Sequence, residues 1–275
     1  MSVSVDLARQ FVYANGLLWE QALFSYLFDG GSIERLHSCL LNYKNEDGGW
    51  AHGLEHDIKC PDSHPLALEF LLNINRDTGA PLVPLLEGTA GWVERNREAD
   101  GSLRNPDSLM KYPLAPWWSG GGQTKPDSIT GNLIRLGVCS DELKASTARW
   151  ASEELDIAQI EANEWLFMAY HAFDYYVNTP ATQELALHRE AAIANIIACA
   201  SKAEPKQYFS YFSFAQTPDS PVAQATPPEL IIKFLDHLAS SQREDGGWND
   251  EHDLKHWQAY TTTVVLNVLR NYGRL

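Results

Sequence analysis

One short phrase occurs twice in this chain and constrains its fold more than any other feature. Asp-Gly-Gly-Trp stands at Asp47–Trp50 and again at Asp245–Trp248, and a weaker copy, Asp-Gly-Ser-Leu, stands at Asp100–Leu103. The first and weaker copies are 53 positions apart, and the weaker and last copies are 145 apart, close to three steps of about 48. A period near 50 fits two helices of about 12 residues with their loops. The sequence therefore predicts an array of helical hairpins.

The residue types in this phrase predict a tight turn. Glycine adopts positive φ without strain, and an aspartate carboxylate accepts hydrogen bonds from the backbone of its own turn. We expect Asp47 and Asp245 to hold their turns in this way. The tryptophans that follow, Trp50 and Trp248, are expected to pack between neighbouring hairpins.

Apolar residues recur at helical spacing through most of the chain. The predicted helices cover residues 5–28, 33–43, 61–75, 82–97, 128–136, 141–154, 159–178, 181–201, 227–242 and 256–271. Two stretches, 104–126 and 203–226, break the pattern and are predicted as long functional loops. No segment reads as a strand. We expect an all-α fold in a single domain that covers residues 1–275.

The triplet Pro-Asp-Ser recurs at the predicted boundaries between these segments. It stands at 61–63, 106–108, 126–128 and 218–220. Proline stops the preceding segment from continuing as helix, and Asp and Ser accept hydrogen bonds from the free amides of a helix start. The triplets are predicted to be helix caps.

Composition limits the partners and the location of the chain. A formal charge of −15 and the absence of a basic run argue against nucleic acid or an anionic membrane surface. No apolar stretch reaches the roughly 18 residues of a membrane span, and no signal peptide is visible. The four cysteines form no close pair, as expected of reduced thiols in a cytoplasmic protein.

Several motifs resemble those of a known superfamily. The segment Leu238–Trp248 is similar to the Gln-Trp repeat of the terpenoid cyclases and protein prenyltransferase β-subunits, although Lys44 replaces the glutamine of the first copy. The run Asp47–Leu66, together with Tyr112–Trp118, resembles a bacterial family of prenyltransferase/squalene-cyclase-like repeat proteins. This resemblance implies an α/α toroid of five to six helical hairpins and an isoprenoid substrate.

The chain also departs from the family's chemistry. The Asp-x-Asp-Asp motif with which class II terpene cyclases protonate an alkene does not occur in it. The Asp-x-Cys pair of the zinc-dependent prenyltransferases is also missing, and Asp57–Cys60 is one residue too long to supply it. Neither the cyclase mechanism nor the prenyltransferase mechanism can therefore be assigned directly to this chain.

Each full copy of the turn is followed by an acidic cluster, Glu55–Asp57 and Glu251–Asp253. In a toroid the first and last repeats are neighbours, so the two clusters would approach each other. Clustered carboxylates raise one another's pKa, and an adjacent histidine can hold the proton. The candidate catalytic residues are Glu55, His56, Asp57, Glu251, His252 and Asp253. The alternative is that the aspartates cap helices or pair with Lys59 and Lys255, while the glutamates face water.

A metal site is a further alternative at the first cluster. His52 and His56 are four positions apart, and on a helix both would face one Zn²⁺ ion. Gly53 lies between them and disfavours a helix there. We expect no cofactor, with a divalent metal, Mg²⁺ or Zn²⁺, as the alternative.

Aromatic side chains supply the candidate substrate-binding residues. Trp117 and Trp118 lie in a proline-braced loop before the glycines 120–122, which suggests a lid, and the predicted helix 163–178 carries mixed aromatic and polar groups. Such rings stabilise a carbocation or stack on a sugar, with core packing as the alternative. The candidates are Tyr112, Trp117, Trp118, Trp165, Tyr170, His171 and Asp174.

These observations lead to one functional expectation and two alternatives. We expect an enzyme that acts on an isoprenoid or similarly apolar substrate by acid-initiated cyclisation or isomerisation. The first alternative is a carbohydrate-active hydrolase or lyase with paired carboxylates, since α/α toroids also host that chemistry. The second is a non-catalytic binding module.

Overall fold

The computed structural model describes residues 3–118, 122–180 and 182–275, with the side chain of every residue but Glu184. Within these ranges the chain forms fourteen α-helices and one short antiparallel sheet. The helices are α1 (Val5–Asn15), α2 (Leu18–Phe28), α3 (Ile33–Leu40), α4 (Pro65–Thr78), α5 (Thr89–Arg95), α6 (Asp127–Arg135), α7 (Asp141–Glu154), α8 (Ile157–Glu161), α9 (Tyr170–Asn178), α10 (Gln183–Lys202), α11 (Tyr208–Tyr211), α12 (Pro221–Ala225), α13 (Pro228–Ser240) and α14 (Gln258–Asn271). The strands β1 (Leu103–Arg104) and β2 (Gln123–Thr124) pair Leu103 with Thr124.

The prediction of a mostly helical chain is confirmed, and the finer prediction of a toroid stays a prediction. In the described ranges, no helix combines the length and apolar character needed to cross a bilayer. The predicted helix 5–28 is two helices, because Gly16 is extended (φ −80°, ψ 154°) and ends α1. Glu20 then starts α2 by accepting the backbone N–H of Leu17 at 2.6 Å. The sheet was not predicted, since its strands of two residues are too short to show alternation.

A second difference concerns the predicted helix 159–178. It is interrupted, because α8 ends at Glu161 and α9 begins only at Tyr170. Residues 163–165 between them are irregular, and a 3-10 turn, Phe167–Ala169, leads into α9. Trp165 therefore does not share a helix with Tyr170, His171 and Asp174.

The chain divides into two compact units. Unit 1 contains Met1–Cys39, Glu164–Met168 and Ile193–Leu275, and unit 2 contains Leu40–Asn163 and Ala169–Ala192. The prediction of a single domain stays a prediction. The two acidic clusters belong to different units, with Glu55–Asp57 in unit 2 and Glu251–Asp253 in unit 1.

The repeated phrase forms the same turn each time, as predicted. Its first glycines, Gly48, Gly101 and Gly246, have φ of 92°, 93° and 92°. The carboxylates of Asp47 and Asp245 accept the backbone N–H two residues later, at 2.8 and 3.0 Å. Asp100 does the same at 2.9 Å in the weaker copy. The tryptophans of the two full copies are buried.

Unit 1 is built on the contacts of α14 with α1, α2 and α13. Every residue of α14 from Ala259 to Leu269 is buried, so this helix forms the centre of the unit. The last turn packs against α1 so closely that a Cβ on Gly246 would lie 2.3 Å from the backbone of Leu7. Gln242 joins the two, because its side chain bonds the backbone N–H and C=O of Ser4 at 2.7 and 2.9 Å.

Unit 2 is built on the packing of α6 against α9 and α4. The backbones of α6 and α9 touch at Gly131, where an added Cβ would lie 2.1 Å from the carbonyl oxygen of Asp174. Only glycine permits this approach. It brings the polar side chains of both helices into a buried layer.

Candidate functional site

The first acidic cluster lies in turns of unit 2, and two of its three side chains are buried. Glu55 and His56 are buried, whereas Asp57 is half-buried. Glu55 accepts the backbone N–H of Asp57 at 2.8 Å, and the His56 ring lies 5.7 Å from the ring of Phe70. Burial raises the pKa of Glu55 well above its usual value, and the charges of Asp57 and Glu69 raise it further. Burial therefore favours the protonated form of Glu55.

The second cluster, in unit 1, is not the structural equivalent of the first. Glu251 is half-buried, and His252 and Asp253 are exposed, with Asp253 in the left-handed region at φ 57°. The buried carboxylate at this turn is Asp250, which accepts the backbone N–H of His252 at 3.1 Å. The identical Glu-His-Asp sequences therefore do not place their carboxyl groups in equivalent environments.

The pair His52 and His56 does not lie on a helix, so the spacing argument for a shared metal ion does not hold. His52 is exposed, has φ 60° and bonds the side chain of Asn45 at 2.8 Å. Within the described ranges, no group of three or more His, Cys, Asp or Glu side chains is arranged to hold a metal ion.

The aromatic loop before the glycines has one packed ring and two exposed rings. Trp118 packs against a cluster of Ile58, Cys60, Leu66 and Leu109. Tyr112 and Trp117 are exposed. Two of the three glycines of the predicted lid, 120 and 121, lie outside the described residues.

The remaining candidates follow the break in the predicted helix. Trp165 is exposed in unit 1, where its indole N–H faces Glu251 Oε1 at 3.4 Å. Tyr170, His171 and Asp174 are buried on α9 in unit 2. The structure thus brings Trp165 close to Glu251, and it places Tyr170, His171 and Asp174 together on α9, which carries the chemically richer group.

Asp174 is the centre of a buried network between three helices of unit 2. Its Oδ2 atom accepts hydrogen bonds from Arg76 of α4 and from Ser128 and Asn132 of α6, each at 2.9 Å. Arg76 also pairs with Asp77 at 2.9 Å. Buried ion pairs of this kind require such supporting hydrogen bonds, because desolvation of each charge is costly.

His171 is held by Asp127, the residue that starts α6. The Nδ1 atom of His171 lies 2.8 Å from Asp127 Oδ1, and Asp127 is fully buried. Burial alone would lower the pKa of His171, but the charges of Asp127 and Glu69 and the bond to Asp127 outweigh it. The net result is a raised pKa. A carboxylate in this position fixes the orientation of the imidazole ring and favours its charged form.

Glu69 of α4 completes the group. Tyr170 donates a hydrogen bond to Glu69 Oε2 at 3.2 Å, and the Tyr170 ring stacks on His171 with a centroid distance of 4.1 Å. Burial raises the pKa of Glu69 to about 7, and the charges of Asp127 and Asp174 add to this effect. His171 and the Tyr170 hydroxyl act in the opposite direction.

Three buried carboxyl oxygens in this group have no hydrogen-bond partner among the described residues. They are Glu69 Oε1, Asp127 Oδ2 and Asp174 Oδ1. An unpaired buried oxygen is costly, so such atoms mark strain or function. A carboxyl with a pKa near 7 and one uncommitted oxygen can give and take a proton near neutral pH.

Sequence reasoning found the α9 half of this group and missed the α4 and α6 half. Glu69 stands within the apolar run Leu66–Leu72, and a lone acid in such a run is a signal that could have found it. The sequence predicts a helix cap at Asp127, and the bond to His171 gives this residue another role. No protein-family model matches this chain, and no curated protein is significantly similar to it. The resemblance to the terpenoid cyclase superfamily therefore depends on its motifs and stays a prediction.

Proposed function

We propose that the chain is an enzyme that transfers a proton to an isoprenoid or similarly apolar substrate, with Glu69 as the donor. The observation that supports this proposal is the carboxyl of Glu69, which is 5% exposed and has a pKa of about 7. A general acid works best when its pKa lies near the working pH. Because Tyr170 occupies Oε2, the uncommitted Oε1 is the oxygen that carries the transferable proton.

The proposed step balances without another reactant. Transfer of the proton from Glu69 to one carbon of a C=C bond breaks the π bond and leaves a carbocation and a carboxylate. Attack by a second C=C bond on that cation closes a ring. Loss of a proton from a neighbouring carbon to the carboxylate then forms a new C=C bond and restores the acid. The overall reaction is a cyclisation or, without ring closure, an isomerisation.

The environment favours Glu69 over the aspartates of the repeated clusters as the donor. Asp57 is half-buried and Asp253 is exposed, so water reaches both carboxyl groups. Glu69 and Glu55 are buried, and burial disfavours their charged forms. Glu55 supplies a second carboxyl of raised pKa in the same unit, while Asp127 and His171 shift the pKa of Glu69 in opposite directions.

The test is incubation of the full chain in D₂O with farnesyl diphosphate, geranylgeranyl diphosphate and squalene. Mass spectrometry of the extracted products would detect solvent deuterium on carbon. We expect incorporation by the wild type, with a rate that falls as pH rises through about 7 because the acid must be protonated. Glu69→Gln should slow the reaction by about 10²- to 10⁴-fold, the usual contribution of a general acid.

Glu153→Gln is the matched control, since Glu153 is an exposed carboxyl of α7 in the same unit. It should retain wild-type incorporation. Deuterium incorporation by Glu69→Gln at the wild-type rate would refute Glu69 as the donor. A chain that leaves the isoprenoids unchanged but releases reducing sugars from neutral oligosaccharides would instead be the carbohydrate-active alternative.

A further inference from the structure

Unit 1 exposes two large aromatic rings side by side. Trp165 is 43% exposed and Phe167 is 49% exposed. Their ring centroids are 5.6 Å apart and their planes are inclined by 43°. Both stand on the segment Glu164–Met168, which is irregular up to Leu166 and therefore places them outside any long helix. Contiguous exposed apolar surface that is rimmed by polar residues is a feature of binding sites.

A carboxylate is fixed beside these rings. Glu251 Oε1 lies 2.8 Å from the side-chain amide of Gln207 and 3.4 Å from the Trp165 indole nitrogen. Gln207 is itself held, because its Oε1 accepts the backbone N–H of Glu204 at 3.0 Å. Within the described ranges, no donor bonds Glu251 Oε2. One oxygen is thus anchored and the other is left for a ligand, a preorganised arrangement.

We infer that Trp165, Phe167 and Glu251 form a binding site for an organic cation of the quaternary ammonium type. Aromatic faces attract a cation that lies within about 6 Å of the ring centroid, and a carboxylate adds direct charge attraction. The centroids are 5.6 Å apart, so both rings border the same patch of surface, where one roughly spherical head group would sit. A flat sugar can stack on only one of two planes inclined by 43°.

The charge of the chain supports a cationic ligand. The formal net charge is −15, which attracts cations. An alkylated ammonium group also loses its hydration more readily than a compact ammonium ion. All residues of this site belong to unit 1, and the site does not depend on the proton transfer proposed for Glu69.

The test compares choline with 3,3-dimethylbutan-1-ol, a neutral molecule of the same shape. Binding of each to the full chain would be measured by tryptophan fluorescence and isothermal calorimetry. We expect choline to bind about 2- to 30-fold more tightly, the range that a cation–π contact contributes. Trp165→Ala and Glu251→Gln should each weaken choline binding by at least about threefold and leave the binding of the neutral alcohol less affected.

Two matched variants in the same unit control for loss of an exposed ring and loss of an exposed charge. Tyr13→Ala removes a ring that is 38% exposed, and Glu229→Gln removes an exposed carboxyl. Both should bind choline as the wild type does. Circular dichroism would check that every variant is folded.

Three outcomes would overturn the inference. Equal affinity for choline and its neutral analogue would show that the rings recognise shape alone. Binding of a neutral hexose that is lost in Trp165→Ala, with no competition from choline, would identify a sugar platform. Self-association in sedimentation that disappears in Trp165→Ala, without choline binding, would identify a contact between two copies of the chain.

Discussion

The pKa of Glu69 makes the stability of the fold depend on pH in a way that one substitution can isolate. In the unfolded chain a glutamate titrates near 4.5, and in the fold Glu69 titrates near 7. Between these values the folded protein holds a proton that the unfolded chain has released. The stabilising contribution is therefore fully present below pH 4.5 and is lost as pH rises to about 7.

The magnitude follows from the size of the shift. Each pKa unit corresponds to about 1.4 kcal/mol, so a shift from 4.5 to about 7 is worth about 3 kcal/mol. Glu69→Gln cannot lose this proton and should show no such loss. The free energy of unfolding of Glu69→Gln minus that of the wild type should therefore rise by about 3 kcal/mol across the window.

The assay is urea denaturation followed by circular dichroism at intervals of half a pH unit from pH 4.5 to 8.5. Subtraction of the wild-type free energy of unfolding from that of the variant cancels the contributions of other titrating groups. One of these is Glu20 of unit 1, since burial raises the pKa of Glu20 to about 8. Glu153→Gln again removes a carboxyl from an exposed position. The free energy of unfolding of this variant minus that of the wild type should not change with pH. A difference for Glu69→Gln that is constant with pH would refute the assignment of the proton to Glu69.

Three substitutions test the packing inside each of the two units. Gly131→Ala places a methyl group 2.1 Å from the carbonyl oxygen of Asp174, so α6 and α9 must separate; we expect a loss of about 1–3 kcal/mol in urea denaturation. Gly246→Ala should lower the melting temperature more than Gly30→Ala. Both have positive φ, but only the first would meet backbone, at 2.3 Å, and equal effects would contradict this reasoning. Asp174→Asn takes one buried carboxylate partner from Arg76, which keeps Asp77, and should cost about 1–3 kcal/mol in urea denaturation; a loss under about 1 kcal/mol would mean that the ion pair contributes little.

The parts of the fold that sequence reasoning predicted are those fixed by local chemistry. The glycine turns at Gly48 and Gly246 follow from the need for positive φ, and their aspartates bond as expected. Helix α7 begins and ends where the apolar pattern placed it, with Ser140 as its N-cap. Local rules failed at Gly16, which is extended inside an apparently continuous helical pattern and where an added Cβ would lie 2.8 Å from the backbone oxygen of Val12.

The candidate site was only half predictable, because its contacts join distant parts of the chain. The polar face of α9 was visible in the mixture of Tyr170, His171 and Asp174 with apolar residues. Its partners come from other helices, and Glu69 lies 101 positions from Tyr170 along the chain. A single sequence carries no information on such pairings. The repeated Glu-His-Asp sequence predicts a catalytic site instead, but its two copies differ in burial.

Burial is the main reason that Glu69 holds its proton near neutral pH, and the ionisable groups of the buried layer modify this effect. Asp77, Asp127 and Asp174 lie there beside Arg76, Arg135 and His171, and the charge of Asp127 raises the pKa of His171. A charged Glu69 would be a fourth anion without a cation of its own. Protonation of Glu69 balances the layer, which agrees with a pKa of about 7.

These charges predict that Glu69 binds its proton more tightly when His171 is replaced by an uncharged residue. The positive charge of His171 lowers the pKa of Glu69, and Asp127 raises it. In His171→Gln the lowering effect is gone and Asp127 remains, so the pKa of Glu69 should increase. NMR titration of the ¹³C-labelled Glu69 carboxyl in wild type and variant would measure the two midpoints, with Glu153 as the internal reference. A midpoint that is unchanged or lower in His171→Gln would mean that His171 is uncharged in the fold, and the proposed charge balance would fail.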